Sequence, residues 1–116
     1  MDGEISAETL QELLDSDTDL RIIDIRSPAQ FGRGHIPGSD NIPFQELTTH
    51  IERVADADRV VTVCPHGQAS QQAARLIASF EGVDGRVDSL EPGIAGWSYD
   101  LETDEGSETE ASDAPF

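Results

Sequence analysis

Hydrophobic and polar positions along this chain follow two periods. Apolar, β-branched runs stand at Leu20-Arg21-Ile22-Ile23-Asp24-Ile25, Arg59-Val60-Val61-Thr62-Val63 and Arg86-Val87-Asp88-Ser89-Leu90. Short runs of this kind, bounded by turn residues, read as strands, and the first is apolar enough to be buried on both faces. Between them, apolar residues recur at helical spacing. Leu10, Leu13 and Leu14 stand at i, i+3 and i+4 behind an N-cap at Ser6, with Glu8 in the first turn. That predicts a helix running to about Asp15, with Ile5 opening a short edge strand before it. Ala73, Leu76, Ile77 and Phe80 form a second stripe, closed by the stretch Gly82 to Gly85. Phe44, Leu47, Ile51 and Val54 predict a third helix, and Ile94 to Leu101 a last short one anchored by Trp97. Ser27-Pro28 starts one helical turn, since proline suits the first helical position. Glycine and proline punctuate Gly32 to Gly38, which predicts irregular chain there.

Strands alternating with helices from Leu20 to Leu90 imply βαβ units. The expected fold is α/β, three layers deep, with a central, mostly parallel sheet and helices on both faces. A chain of 116 residues has room for one domain and one core. From Glu102 onward no apolar periodicity is left, and acidic sequence of this kind cannot bury enough surface to offset its ordering entropy. One domain over 1–102 and a disordered acidic tail over 103–116 are therefore expected.

Charge changes the picture. Seven basic residues oppose 24 acidic ones, for a net charge of −17, and all seven are arginines. Such a chain lacks the basic footprint that phosphate backbones require, so no nucleic-acid partner is expected. No stretch approaches the roughly 20 apolar residues of a membrane span, and Met1 leads into acidic sequence rather than a signal peptide. A cytoplasmic location without membrane partners follows as the expectation. One cysteine makes no internal disulfide and gives a metal no thiol partners, so neither metal nor cofactor is expected. The lysine-free acidic surface resembles that of cytoplasmic proteins of extreme halophiles, where high salt screens carboxylate repulsion.

The candidate chemistry lies at Val60-Val61-Thr62-Val63-Cys64-Pro65-His66-Gly67-Gln68-Ala69-Ser70. It reads as a strand, a tight loop and a helix N-terminus, with the lone thiol at the strand's carboxyl end, where open α/β sheets bind ligands. Unpaired N–H groups and the helix dipole there favour a thiolate over a thiol, below the usual pKa of about 8.5. Two readings fit this pattern: Cys64 is a nucleophile, or it is a small buried hydrophobe.

Three stretches then narrow the choice. Phe31-Gly32-Arg33-Gly34-His35-Ile36-Pro37-Gly38-Ser39, following Asp24-Ile25-Arg26, resembles the amino-side signature of the rhodanese family. Cys64 to Ser70 is similar to the catalytic loop of its short single-domain members. Leu90-Glu91-Pro92-Gly93-Ile94-Ala95-Gly96-Trp97 is similar to the closing motif. Ser39 stands where alanine is usual, Pro92 replaces a glycine, and Ala69 stands where many members carry arginine or a hydroxyl residue. The resemblance implies a rhodanese-like fold and a sulfurtransferase. In it, Cys64 takes the sulfane sulfur of a small anionic donor such as thiosulfate, carries it as a persulfide, and yields it to a thiol or cyanide. A thioredoxin-like or sulfur-relay protein is among the acceptors implied.

Pro65 offers no N–H, so the loop donors expected around the thiolate and its donor are His66, Gly67, Gln68, Ala69 and Ser70. Gly67 permits a positive φ at the tightest point. His66 either bonds the donor or is simply solvated. His35 is expected to pack and hydrogen-bond structurally under the loop. Asp24 and Arg26 either frame the mouth, with Arg26 attracting the anionic donor, or form an internal salt bridge. A related phosphatase would need Cys-x5-Arg to clamp phosphate bidentately, and here that position is Ser70. The alternative reading is a persulfide carrier or binding module that relays sulfur between protein partners. A catalytically dead regulatory module usually lacks the cysteine that Cys64 supplies.

Overall fold

The strands β1 (Gly3–Ile5), β2 (Leu20–Asp24), β3 (Asp40–Asn41), β4 (Arg59–Val63) and β5 (Arg86–Leu90) form one sheet in the order β1-β5-β4-β2-β3. Every neighbouring pair is parallel, as crossover helices between strands require. This is the computed structural model of the chain, and it describes residues 3–16 and 18–103. The expected tail lies outside the described residues except for Thr103. The three helices are α1 (Ala7–Leu14), α2 (Pro28–Arg33) and α3 (Ala69–Ala78). Ser6 caps α1 through Thr9 N–H at 3.1 Å, and Ser27 caps α2 in a capping box with Gln30, Pro28 standing at its start.

Period-2 alternation sorts the strand residues between two apolar layers. Val60 and Cys64 of the β4 segment join Ile23, Ile25, Val87 and the α3 stripe Ala73, Ala74 and Ile77 on one face. Val61, Val63, Ile22 and Leu90 join Leu10 of α1 and Trp97 on the other. The middle strands are thus covered on both sides, and among the described residues no helix is long and apolar enough to cross a membrane.

Two expected helices are not α-helical. Over Phe44 to Val54 the chain makes two 3-10 turns, Phe44–Glu46 and Ile51–Arg53, with short-range bonds such as Glu46 N–H to the Pro43 carbonyl at 2.8 Å. Thr48 and Thr49, poor helix formers, separate them. The apolar spacing still does its work, because Leu47 and Val54 are buried. The last helix is a single 3-10 turn, Ile94–Gly96, after which Trp97 is extended. Trp97 nonetheless anchors the segment, buried and donating its indole N–H to the Asp100 carbonyl at 3.0 Å. Strand β3, two residues long, is too short to show a period and went unpredicted.

Candidate active site

Cys64 follows the last residue of β4, and its backbone carbonyl accepts the Ile94 N–H at 2.9 Å. Pro65 turns the chain away, and Gly67, at φ 81°, folds it back so that its N–H reaches Cys64 Sγ at 3.0 Å. Any side chain at 67 would collide with the Glu91 carbonyl. Ser70, in the first turn of α3, sets its hydroxyl 3.3 Å from Sγ. Burial of Cys64 pushes its pKa up. The Ser70 hydroxyl, then the N–H groups of Ser70, His66 and Gly67, push it down, and the result lies below the ordinary thiol value. This is a nest of donors fitted to a sulfur anion.

Behind Ser70 lies a second layer that the sequence did not reveal. Its hydroxyl stands 2.6 Å from that of Ser89 on β5, both fully buried, and Thr62 Oγ1 donates to the Ser70 carbonyl at 2.7 Å. Thr62 and Ser89 occupy strand positions that point to the α3 face, where apolar residues are the rule. A polar residue in register within an apolar strand was the available signal. Gln71 fixes the loop from the helix side, donating to the Gly67 carbonyl at 3.0 Å.

Sequence-selected residues divide by what they touch. Gly67, Ser70 and the His66 N–H serve Sγ directly. Ala69 and Arg26 line the pocket that opens beside Cys64, a cavity of about 630 Å³. His66 and Gln68 are exposed on the loop, without a side-chain hydrogen bond among those described. The ion pair read for Asp24 and Arg26 is formed, with Arg26 still on the pocket wall. The buried Asp24 carboxylate accepts Arg26 Nε at 2.9 Å and Nη2 at 2.7 Å, and Nη2 also reaches the Gly34 carbonyl at 2.7 Å. The pair thereby ties the end of β2 to the chain after α2. His35 is buried as expected, but its bonds go elsewhere than to the Cys64 loop. It stacks on Phe31 at 3.8 Å, meets the Phe31 carbonyl through Nδ1 at 2.8 Å, and pairs its backbone with Glu102.

The rest of the pocket was not legible from the sequence. Ile25, Pro28, Pro43, Phe44 and Gln72 line it, brought from four separate stretches by the crossovers. A parallel α/β sheet with a donor-ringed thiol at the carboxyl end of its central strand defines a class of α/β domain. Comparison places the chain within that class: the rhodanese-like domain family profile matches residues 6–100, and the chain belongs to that family. It is 38% identical over 109 residues to a thiosulfate sulfurtransferase GlpE of Ectopseudomonas mendocina, covering 90% of this chain and 94% of the relative. It is 32% identical over 95 residues to the Bacillus subtilis protein YrkF, whose name makes it a candidate sulfur carrier. That match covers 82% of this chain and 50% of the relative, so the chain spans half of that protein. The rhodanese-like domain of an Anabaena protein has the same fold, with a TM-score of 0.77 at 23% identity over all of this chain and 90% of that one.

Proposed function

We propose that the chain is a sulfurtransferase that moves a sulfane sulfur through a Cys64 persulfide. The Cys64 thiolate attacks the outer sulfur of thiosulfate or a donor of the same kind. The new S–S bond forms as the donor's breaks, and sulfite leaves with the electron pair. A thiolate or cyanide then takes the terminal sulfur and restores the Cys64 thiolate. The two half-reactions give ping-pong kinetics. The donor nest carries this reading: N–H groups of His66, Gly67 and Ser70 and the Ser70 hydroxyl converge on Sγ, and a persulfide anion can share those donors. His66 and Gln68, exposed on the loop, are assigned to the incoming donor from the solvent side. The lowering of the thiol pKa by these donors and the family membership support the same reading.

A second reading, a persulfide carrier loaded by a protein donor, uses the same Cys64 and draws support from the name of the Bacillus subtilis relative. Turnover with thiosulfate and cyanide distinguishes the enzyme from a carrier loaded only by a partner. For both, intact-protein mass spectrometry should find one extra sulfur on the loaded chain. Cys64→Ser should abolish that sulfur and all transfer while leaving the thermal midpoint nearly unchanged. Transfer surviving in Cys64→Ser would overturn the mechanism.

A further inference from the structure

The hollows of this chain differ in charge. Asp56, Asp58 and Asp84 line a polar one at the amino end of the sheet, and Glu46 stands on the wall of the pocket beside Cys64. A third hollow, of about 310 Å³, is lined by Arg26, Gln30, Arg33, Gly34, Ile94 and Leu101, with no carboxylate among them. Arg26 and Gln30 line the Cys64 pocket as well, so the two hollows open side by side across them. Arg26 is balanced by Asp24 at 2.7 Å. Arg33, exposed in the last turn of α2, has no ion pair among the described residues. Gln30 gives its Oε1 to the Ser27 N–H at 3.4 Å, which leaves its Nε2 to donate. The opposite wall is held in place. Glu102 and His35 exchange backbone bonds at 2.8 and 2.9 Å, and Leu101 packs so close to Gly34 that a Cβ there would come within 3.4 Å of it. Leu101 is nonetheless one of two large apolar side chains left exposed.

We infer that this third hollow docks an acidic, apolar segment of a protein that trades sulfur with Cys64. A carboxylate of the segment sits between the Arg33 guanidinium and the Gln30 amide, and an aliphatic side chain lies against Ile94 and Leu101. The inference rests on the Cys64 persulfide reading and names the surface that its protein partner uses. Charge complementarity selects an anionic segment even on a chain at −17. At 0.15 M salt the Debye length is about 8 Å, so distant carboxylates are largely screened, while a guanidinium in contact with the segment is not. A segment held here keeps its own chain at the edge of the Cys64 pocket, which raises the effective concentration of a thiol a few residues away. That thiolate attacks the terminal sulfur of the Cys64 persulfide. A new S–S bond forms on the partner, the Cys64 S–S bond breaks, and the electron pair leaves on Sγ.

The test uses three short peptides that carry a cysteine thiol on a glycine spacer. One ends in leucine and two glutamates, one in leucine and two lysines, and one in serine and two glutamates. The full chain is loaded on Cys64 with thiosulfate and mixed with each peptide, and intact-protein mass spectrometry follows the loss of the extra sulfur. Rates are divided by each peptide's rate with a small neutral disulfide, which removes differences in thiol reactivity. Binding of thiol-free versions is read from backbone amide NMR shifts. The leucine–glutamate peptide should lead the other two by about five-fold, the scale of exposed ion pairs combined with apolar contact, and should shift the amides of Gln30, Arg33, Gly34 and Leu101. Arg33→Glu should reverse the order in favour of the lysine peptide, Arg33→Lys should keep it, and Leu101→Ser should shrink the lead. Arg33 and Leu101 are not on the Cys64 pocket, so their variants should leave transfer to cyanide unchanged. A lysine peptide that leads on the unmodified chain, or a lead unmoved by Arg33→Glu, overturns the inference while leaving the persulfide reading intact. A peptide of residues 104–116 that fills the hollow more tightly than the leucine–glutamate probe also overturns it, by assigning the hollow to this chain's own acidic sequence. Failure of an intact Cys64 to load overturns the persulfide reading, and the NMR shifts then still decide whether the hollow takes the acidic segment.

Discussion

At the scale of single residues, Ser70 sets the state of the Cys64 thiol. Its hydroxyl is the strongest of the contacts that lower the Cys64 pKa against burial. When Cys64 is a thiol, its S–H donates to Ser70; when it ionises, the Ser70 hydroxyl turns to donate to sulfur and itself accepts from Ser89, 2.6 Å away. The folded site favours the thiolate, so alkylation of Cys64 should rise with pH through a midpoint below that of free cysteine. Ser70→Ala removes a hydrogen bond to a charged group, worth roughly 1.5–3 kcal/mol. At a pH below the midpoint the alkylation rate should then fall about ten-fold or more, at 1.36 kcal/mol per decade. Ser89→Ala should move the midpoint the same way by less, and Ser89→Thr should restore it. An unmoved midpoint in Ser70→Ala would show that the backbone donors suffice alone.

Among elements, the turn after β5 does more than close the fold. Gly93, at φ 68°, lies directly beneath the Cys64 loop, and a Cβ there would come within 2.6 Å of the Pro65 carbonyl oxygen and 2.7 Å of the Gly67 nitrogen. Ile94 and Ala95 then donate to the carbonyls of Cys64 and Pro65, each at 2.9 Å. The closing motif is thus the platform of the Cys64 loop, a role beyond the core anchor that Trp97 supplies. Gly93→Ala combines a left-handed backbone with backbone clashes, so it should cost more than the roughly 1–3 kcal/mol of strain alone and strip sulfur loading as well. Gly38, at φ 83° with nothing within 4 Å of a Cβ, is the control. Gly38→Ala should incur the strain alone and keep loading. Urea midpoints and loading rates for the two variants check this, and equal losses of loading would remove the platform role.

For the whole molecule, charge sets the conditions of stability. Among the described residues four of the seven arginines are in ion pairs, Arg59 and Arg86 both on the buried Asp88, while 24 carboxylates are spread through the sequence. Their mutual repulsion opposes compaction. Raising salt from about 0.1 M to about 1 M shortens the Debye length from roughly 10 Å to roughly 3 Å. Thermal and urea midpoints in potassium chloride should therefore climb steeply over that interval. Any further rise beyond 1 M would come from strengthened apolar burial rather than screening. We propose that the acidic surface suits a concentrated-salt environment. Midpoints that stay flat or fall between 0.1 and 1 M would remove the basis for that proposal.

The sequence by itself determined the parallel α/β layering, because compact apolar runs alternate with stripes of period 3.6. It also placed the thiol proposed as nucleophile, since Cys64 ends an apolar run at a helix start, and it put at 67 a glycine, whose φ is 81°. These are local properties, set by residues within one turn of each other. Tertiary structure decided what depends on distant segments meeting. The helical spacing of Phe44 to Val54 records burial correctly, yet the chain there satisfies it with two 3-10 turns, because packing needs the apolar positions rather than a continuous helix. Arg26 had two options in the sequence, and the approach of the Gly34 carbonyl fixed its pairing with the buried Asp24 while leaving it on the pocket wall. The Ser70–Ser89 contact joins residues 19 apart in sequence, and the pocket wall joins four stretches. Spacing within a strand or helix cannot encode such meetings; they arise from the register of β4 against β5 and from the crossovers that carry Pro28 and Phe44 to the same end of the sheet as Cys64.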